Sequence, residues 1–320
     1  TSLNTEKIIY EESTLGSTFL KLIDTLNEAE LDEPISYKIK WCGEVFCDSL
    51  EFTAKTLPFR YMTLIPGSEQ FSLGPEYGNN NDGKQAVVKV DSFYAGIYEV
   101  RKAMYESAGS ELFILDRDLP VSNISWNEAV EYCNKHTEEH EHFGAEFRAY
   151  GSQKEVNLQA VGFRLPTEIE WEYMASYGED VNMKREFPWG NNISGHYANY
   201  YGSGDQYEPG PTPVGYYDGL VNTLRDGESF FGLQDLAGNV MEWCHDWYSD
   251  SAYENHDYTT NPEGPSNRQA RVVRGGGWQS DAIECNNRMR KEFLPTVSHE
   301  TIGFRTVITA EPFLKMWRSQ

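Results

Sequence analysis

Apolar positions recur at helical spacing in only a few windows of this 320-residue chain. In LGSTFLKLIDTLNEAEL, residues 15–31, Phe19, Leu22, Ile23 and Leu26 fall on one helix face. The following ISYKIKWCGEVFCDSLEFTA alternates like two short strands around Cys42-Gly43. These patterns predict a helix-plus-hairpin appendage over residues 1–55, packed on a main domain that occupies 56–320.

Two further helices carry their own start signals. SWNEAVEYCNKHTEEHEHF opens with Ser125 as N-cap and Glu128 three residues on, so each side chain satisfies a backbone N–H that the helix leaves free. Trp126, Ala129, Val130 and Cys133 then form one apolar stripe. LPTEIEWEYMAS repeats the device with Thr167 and Glu170. Short strands are predicted in FRYMTLIPG, AVVKVDSFYAGIYEV, RVVRGGGW and IGFRTVITA. PEYGNNNDGKQ, residues 75–85, reads as a polar loop. Residues 177–270 read as mostly loop, and loops that long in a compact domain are functional or held by ions and packed aromatics.

Composition narrows the function classes. A net charge of −23 repels phosphate backbones and excludes a nucleic-acid partner, since Arg288, Arg290 and Lys291 are too small a basic cluster to reverse it. Aromatic residues make up 14% of the chain, which suits irregular β-rich architecture or a ligand-facing surface. No apolar run approaches the roughly 20 residues that span a bilayer. No basic and apolar leader opens the chain, so an export signal or lipid anchor is expected only outside the sequence as it stands.

Candidate chemistry is sparse. Five cysteines cannot all pair, and none falls in a CxxC or a Cys/His zinc spacing. Cys42 and Cys47 flank GEVF and are close enough to bridge; the others read as single buried thiols. His136 and His140 share a helix face and, with His142, form the one nitrogen-rich metal candidate. Their place at a helix end among glutamates favours a solvated last turn, where histidine suits the helix dipole.

FRYMTLIPG, VKVDSFYAGIYEVRKAMYES, VSNISWNEAVEYCN, GFRLPTEIEWEYMAS, FPWGNN, ANYYG, FGLQDLAGNVMEWCHDWY, RVVRGGGW and IGFRTV occur in that order. Across roughly 59–307 the chain thereby resembles the formylglycine-generating-enzyme-like, or sulfatase-modifying-factor, domains. The resemblance implies an α+β fold of the C-type-lectin-like, formylglycine-generating-enzyme type: a small mixed sheet, two flanking helices and extensive loops. It also implies a ligand face built by the segment at about 271–305.

Oxidases of that family use two cysteines, five apart, after the Gly-Gly-aromatic motif. The matching positions here are Ser280 and Cys285. A serine hydroxyl stays protonated near neutral pH and cannot supply a soft thiolate to copper, so the chain is expected not to be an enzyme. The iron-site members of the family need a histidine-bearing helical bundle, whereas the first 55 residues contain no histidine. No cofactor is required, although Asn239 and Glu242 of GNVMEW match family positions that hold a structural calcium. Their alternative role is hydrogen bonding within the loop, and Asn199 of ANYYG is a weaker second match.

What remains on the implied face is a mixed set: Trp278, Gln279, Ser280, Asp281, Ile283, Glu284, Met289, Lys291, Glu292 and His299. They form no acid/base pair, no nucleophile with its base and no metal set. This resembles the variable proteins of diversity-generating retroelements, of the treponemal type, which exchange side chains on a fixed frame. The expected function is display of a diversified site to a protein or other macromolecular ligand, at the cell surface or in the periplasm. The alternatives are a family oxidase acting on a peptide cysteine through Cys285, with Trp243, His245 or Tyr248 nearby, and a structural or assembly lipoprotein of the same fold.

Overall fold

The computed structural model describes residues 35–42, 47–54, 61–73, 86–106, 119–140, 143–178, 185–219, 222–252, 259–266 and 268–319, with 35–42, 47–54 and 317–319 by backbone alone. The chain divides into two compact units, Thr1–Pro58 and Phe59–Gln320. In the first, strands β1 (Ile35–Cys42) and β2 (Cys47–Ala54) form an antiparallel hairpin that sets Cys42 opposite Cys47. The helix expected at 15–31 and the loop expected at 75–85 lie outside the described residues.

The second unit is α+β. Strands β3 (Met62–Ile65), β4 (Ser68–Leu73), β5 (Ala86–Val90) and β6 (Phe93–Gly96) lead into the short helix α1 (Lys102–Glu106). Helices α2 (Trp126–Glu139) and α3 (Glu168–Ser176) follow, then strands β7 (Met241–Trp247), β8 (Arg271–Arg274), β9 (Lys291–Phe293), β10 (Ile302–Gly303) and β11 (Val307–Thr309). Helix α4 (Ala310–Ser319) closes the unit. The main sheet has the order β10-β7-β8-β9, with β10 parallel to β7 and the other pairs antiparallel. A three-stranded antiparallel sheet, β11-β6-β3, and the β4-β5 pair complete the β structure.

Both capping boxes form. Ser125 Oγ accepts from Glu128 N while Glu128 Oε2 accepts from Ser125 N, and Thr167 and Glu170 do the same at α3. The stripe Trp126, Ala129, Val130 and Cys133 is buried in the larger apolar cluster, beside Trp243, Phe304 and Phe313. A second cluster packs β4, β5 and β6 against Trp171, Tyr173 and Met174 of α3. The described residues of 177–270 are loop as expected, except for β7, six of whose seven residues are buried. With both faces covered, such a strand shows no apolar/polar alternation to read.

The histidines of α2 depart from the expected solvated turn. His136 and His140 are buried, at 5% and 4% exposure, because Phe143 and Phe163 cover the end of the helix. His136 stacks on Tyr132 with ring centres 5.3 Å apart, and burial pulls its pKa down to about 4, so the ring is neutral near pH 7. His142 lies outside the described residues. Among the described residues no helix is long and apolar enough to cross a membrane.

Candidate functional site

The frame beneath the implied face is held by buried charge. All nine residues of α3 are buried, including Glu168, Glu170 and Glu172. Arg274, at the end of β8, reaches Glu168 at 2.7 Å and Glu172 at 2.8 Å and donates to the Asn287 carbonyl. Arg290 grips the same Glu168 through two further bonds, of 2.5 and 2.8 Å. One carboxylate thus ties both ends of 274–290 to one helix. Paired, hydrogen-bonded guanidinium and carboxylate groups are the arrangement that makes burying such charges tolerable. Arg271, at the start of β8, lies between Trp126 and Trp247 at 3.7 and 3.6 Å from their ring centres and donates to the His245 carbonyl.

The chain leaves β8 through Gly275 and Gly276 at φ +89° and +70°, a conformation that side chains other than glycine adopt at a cost. Gly277 N–H donates to Ser280 Oγ and Ser280 N–H returns to the Gly277 carbonyl, closing a tight turn. A single 3-10 turn, Ala282–Cys285, follows. The backbone here is fixed by elements below the surface, which leaves the outward side chains free of structural duty.

Gln279, Asp281, Glu292 and His299 are exposed, Ile283 is 66% exposed, and Trp278, Glu284, Met289 and Lys291 are half-buried. Ser280 differs from expectation: it is buried, because its hydroxyl is spent inside the turn. Light ion pairs and hydrogen bonds cross the face, Glu284 to Lys291 at 3.0 Å and Gln279 to Glu300 at 2.7 Å. Sequence reasoning missed Tyr201, whose N–H donates to the Ser280 carbonyl and whose side chain is 72% exposed. It comes from ANYYG, about 80 positions upstream, and no local pattern marks it as a neighbour of 280.

Cys285 is fully buried between Phe187 and Ala237, with Trp189, Ile193 and Tyr200 around them. Burial, then the nearby Glu284 carboxylate, pushes its thiol pKa up to about 12. Trp243 packs in the large α2 cluster instead, and burial pulls His245 down to about 3, below the range of a base that works at neutral pH. Tyr248, the third expected neighbour, has its phenol pushed up to about 12 by burial and its bond to Asp250. Iodoacetamide at pH 7.5 is expected to leave the Cys285 peptide unmodified in native protein and to modify it fully in guanidinium. Native alkylation on the timescale of free cysteine would show an activated thiol.

The calcium expected at Asn239 and Glu242 does not fit their geometry. Both Glu242 oxygens are taken, Oε1 by Arg305 at 2.5 Å and Oε2 by Arg305 and the Trp171 indole at 2.7 and 2.8 Å. Asn239 Oδ1 accepts from Thr212 N, and its Nδ2 donates to Glu99. A divalent cation would have to displace a guanidinium from the carboxylate it is bonded to, so the alternative role, holding the loop, accounts for both residues. Asn199 bonds the Gly210 carbonyl through Nδ2 and keeps Oδ1 buried without a partner. Among the described residues no group of three or more His, Cys, Asp or Glu is placed to hold a metal.

Comparison with known proteins agrees with this architecture. The family described as "Sulfatase-modifying factor enzyme 1-like domain" matches residues 50–310. The formylglycine-generating enzyme of Bos taurus is 31% identical over 215 residues, 62% of this chain and 46% of that protein. The serine/threonine-protein kinase pkn1 of Chlamydia pneumoniae is 32% identical over 263 residues, 76% of this chain and 37% of that protein. The chain thus spans less than half the length of these relatives. Among solved structures, Treponema denticola variable protein 1 superposes with a TM-score of 0.60 at 22% identity, covering 85% of this chain and 99% of that one. PvdO from Pseudomonas aeruginosa gives 0.57 at 22% identity, covering 78% and 94%. By the length and order of these matches, the chain belongs to the sulfatase-modifying-factor, or formylglycine-generating-enzyme-like, family.

Proposed function

We propose that this chain is a non-enzymatic ligand-binding protein that displays an exchangeable surface on the C-type-lectin version of its family's fold. The observation that carries the reading is a division of labour within 271–293. Arg271, Arg274, Cys285, Asn287 and Arg290 face inward and are bonded or packed there, while Gln279, Asp281, Ile283 and Glu292 face outward. A frame that fixes its backbone from below lets outward side chains change without a folding penalty, the logic of an antibody loop. Chemical heterogeneity of the face, with Tyr201 beside it, suits a protein or other macromolecular ligand at the cell surface or in the periplasm.

Replacing Gln279, Asp281, Ile283, Glu284, Met289 and Glu292 in combination is the test. Each change is expected to move stability by less than about 0.5 kcal/mol, as for surface positions generally, while a library of such variants yields binders to unrelated proteins. Cooperative losses of several kcal/mol would mean the face is structural. The family-oxidase reading keeps one support, the 31% identity to the formylglycine-generating enzyme. Copper-dependent oxidation of a cysteine peptide, lost in Cys285→Ala, would establish it in place of display. A neighbouring reverse transcriptase gene, with a template copy that differs at adenines, is the expected genomic counterpart of an exchangeable face.

A further inference from the structure

On a different part of the molecule, a cavity of about 50 Å3 lies between the β3-β6 edge and the last turns of α2. Tyr61, Met62, Val100, Arg101, Met104 and His136 contribute to its wall. Arg101 is buried, with its guanidinium 5.0 Å from the centre of the Tyr61 ring, and among the described residues no carboxylate pairs with it. That sets it apart from Arg164, Arg274 and Arg305, which are buried more deeply and each meet a glutamate. Glu99 borders the same cavity but turns both oxygens away, to Asn239 Nδ2 at 2.7 Å and Val240 N at 3.1 Å.

One wall residue also carries a buried polar atom without a hydrogen bond. His136 Nδ1 is buried with no hydrogen bond, and its ring stacks 5.3 Å from that of Tyr132, which is not part of the wall. The wall thus holds a buried cation to which, among the described residues, no carboxylate is bonded. Buried polar groups are almost always satisfied, and such a set calls for an occupant.

We propose that this cavity binds a carboxylate, with Arg101 taking the charge and Met62, Val100 and Met104 flanking a short aliphatic stem. One fixed positive charge matches a monoanion. A phosphate dianion would leave surplus negative charge beside Glu99, and a guanidinium fork is shaped for two carboxylate oxygens. The volume admits a carboxylate head and a few methylenes, which a free short-chain acid or the carboxyl terminus of a peptide would both present.

Calorimetric titration of the wild-type chain with sodium butyrate, and with butyramide as the isosteric neutral control, reads the proposal without depending on any variant. Butyrate is expected to saturate at about millimolar concentration, as suits so small a ligand, with butyramide at least about tenfold weaker. Arg101→Gln should weaken butyrate by a similar factor, while Ile283→Glu, on the display face, leaves it unchanged. A short peptide with a free carboxyl terminus, compared with its amidated form, assigns the source. Binding of the free form more tightly than butyrate indicates a peptide terminus, and binding of butyrate alone indicates a small acid. Equal titration by butyrate and butyramide, or no binding of either, overturns the proposal and leaves a cavity filled by water.

Discussion

Replacing Arg305 by methionine is expected to destabilise the fold by about 3–5 kcal/mol, the usual cost of stranding a buried charge. Arg305 is wholly buried and sits where three elements meet. It holds Glu242 of β7 through two bonds and also donates to the carbonyls of Gly96, Ile97 and Gln234. Methionine fills similar space yet leaves the Glu242 carboxylate with the Trp171 indole as its remaining hydrogen-bond donor, and takes a donor from the carbonyls of Gly96, Ile97 and Gln234. Domains of this kind are stable by about 5–15 kcal/mol in total, so urea unfolding should show a midpoint lowered by a large fraction. Adding Glu242→Gln removes the stranded charge while keeping an acceptor for Trp171, and is expected to recover most of the loss. A single variant that costs less than about 1 kcal/mol would mean the pair is not the anchor its geometry describes.

Gly276→Ala is the second large effect. At φ +70° an added Cβ would lie 2.7 Å from Cys285 Sγ and 3.0 Å from both Cys285 Cα and the Glu284 carbonyl. The left-handed backbone costs about 1–2 kcal/mol for an L side chain, and forcing atoms into packed surroundings about 1–3 more. Gly277→Ala is the internal control: its Cβ meets only backbone atoms at 3.2–3.3 Å, and its φ is not in the left-handed region. The expected order of melting temperatures is wild type, then Gly277→Ala, then Gly276→Ala well below. A Gly276→Ala protein as stable as Gly277→Ala would show that the turn relaxes easily, and with it the support beneath the exposed side chains of 279–292.

Much of the fold is legible locally. Ser125 with Glu128 and Thr167 with Glu170 mark the starts of α2 and α3 because a capping box is contained within four residues. The strands β3, β5, β6, β8 and β11 are readable as short apolar runs, whereas β7 is not, since burial on both faces removes its period. Strand β9 was missed for a different reason. Lys291-Glu292-Phe293 has little strand character of its own and forms because β8 offers an open edge.

The candidate site divides in the same way. Ile283 and Ser280 stand three residues apart in one loop, and nothing in their spacing says which faces out. The hydrogen bond from Gly277 N–H to Ser280 Oγ decides it. Likewise, a helix reading EIEWEYMAS suggests surface glutamates. Their burial depends on Arg164, three residues before the helix cap, and on Arg274 and Arg290, more than 100 residues away.

The sequence by itself determined the family, the two capped helices, the glycine turn after Arg274 and the absence of a second thiol at 280, because each is carried by residue identity over a short span. Only the tertiary structure decided that Glu242 is bonded by Arg305, that His136 is buried, that Tyr201 joins the face, and that among the described residues no carboxylate pairs with Arg101. Each of these depends on which distant groups share a low-dielectric space, and chain order alone does not specify that.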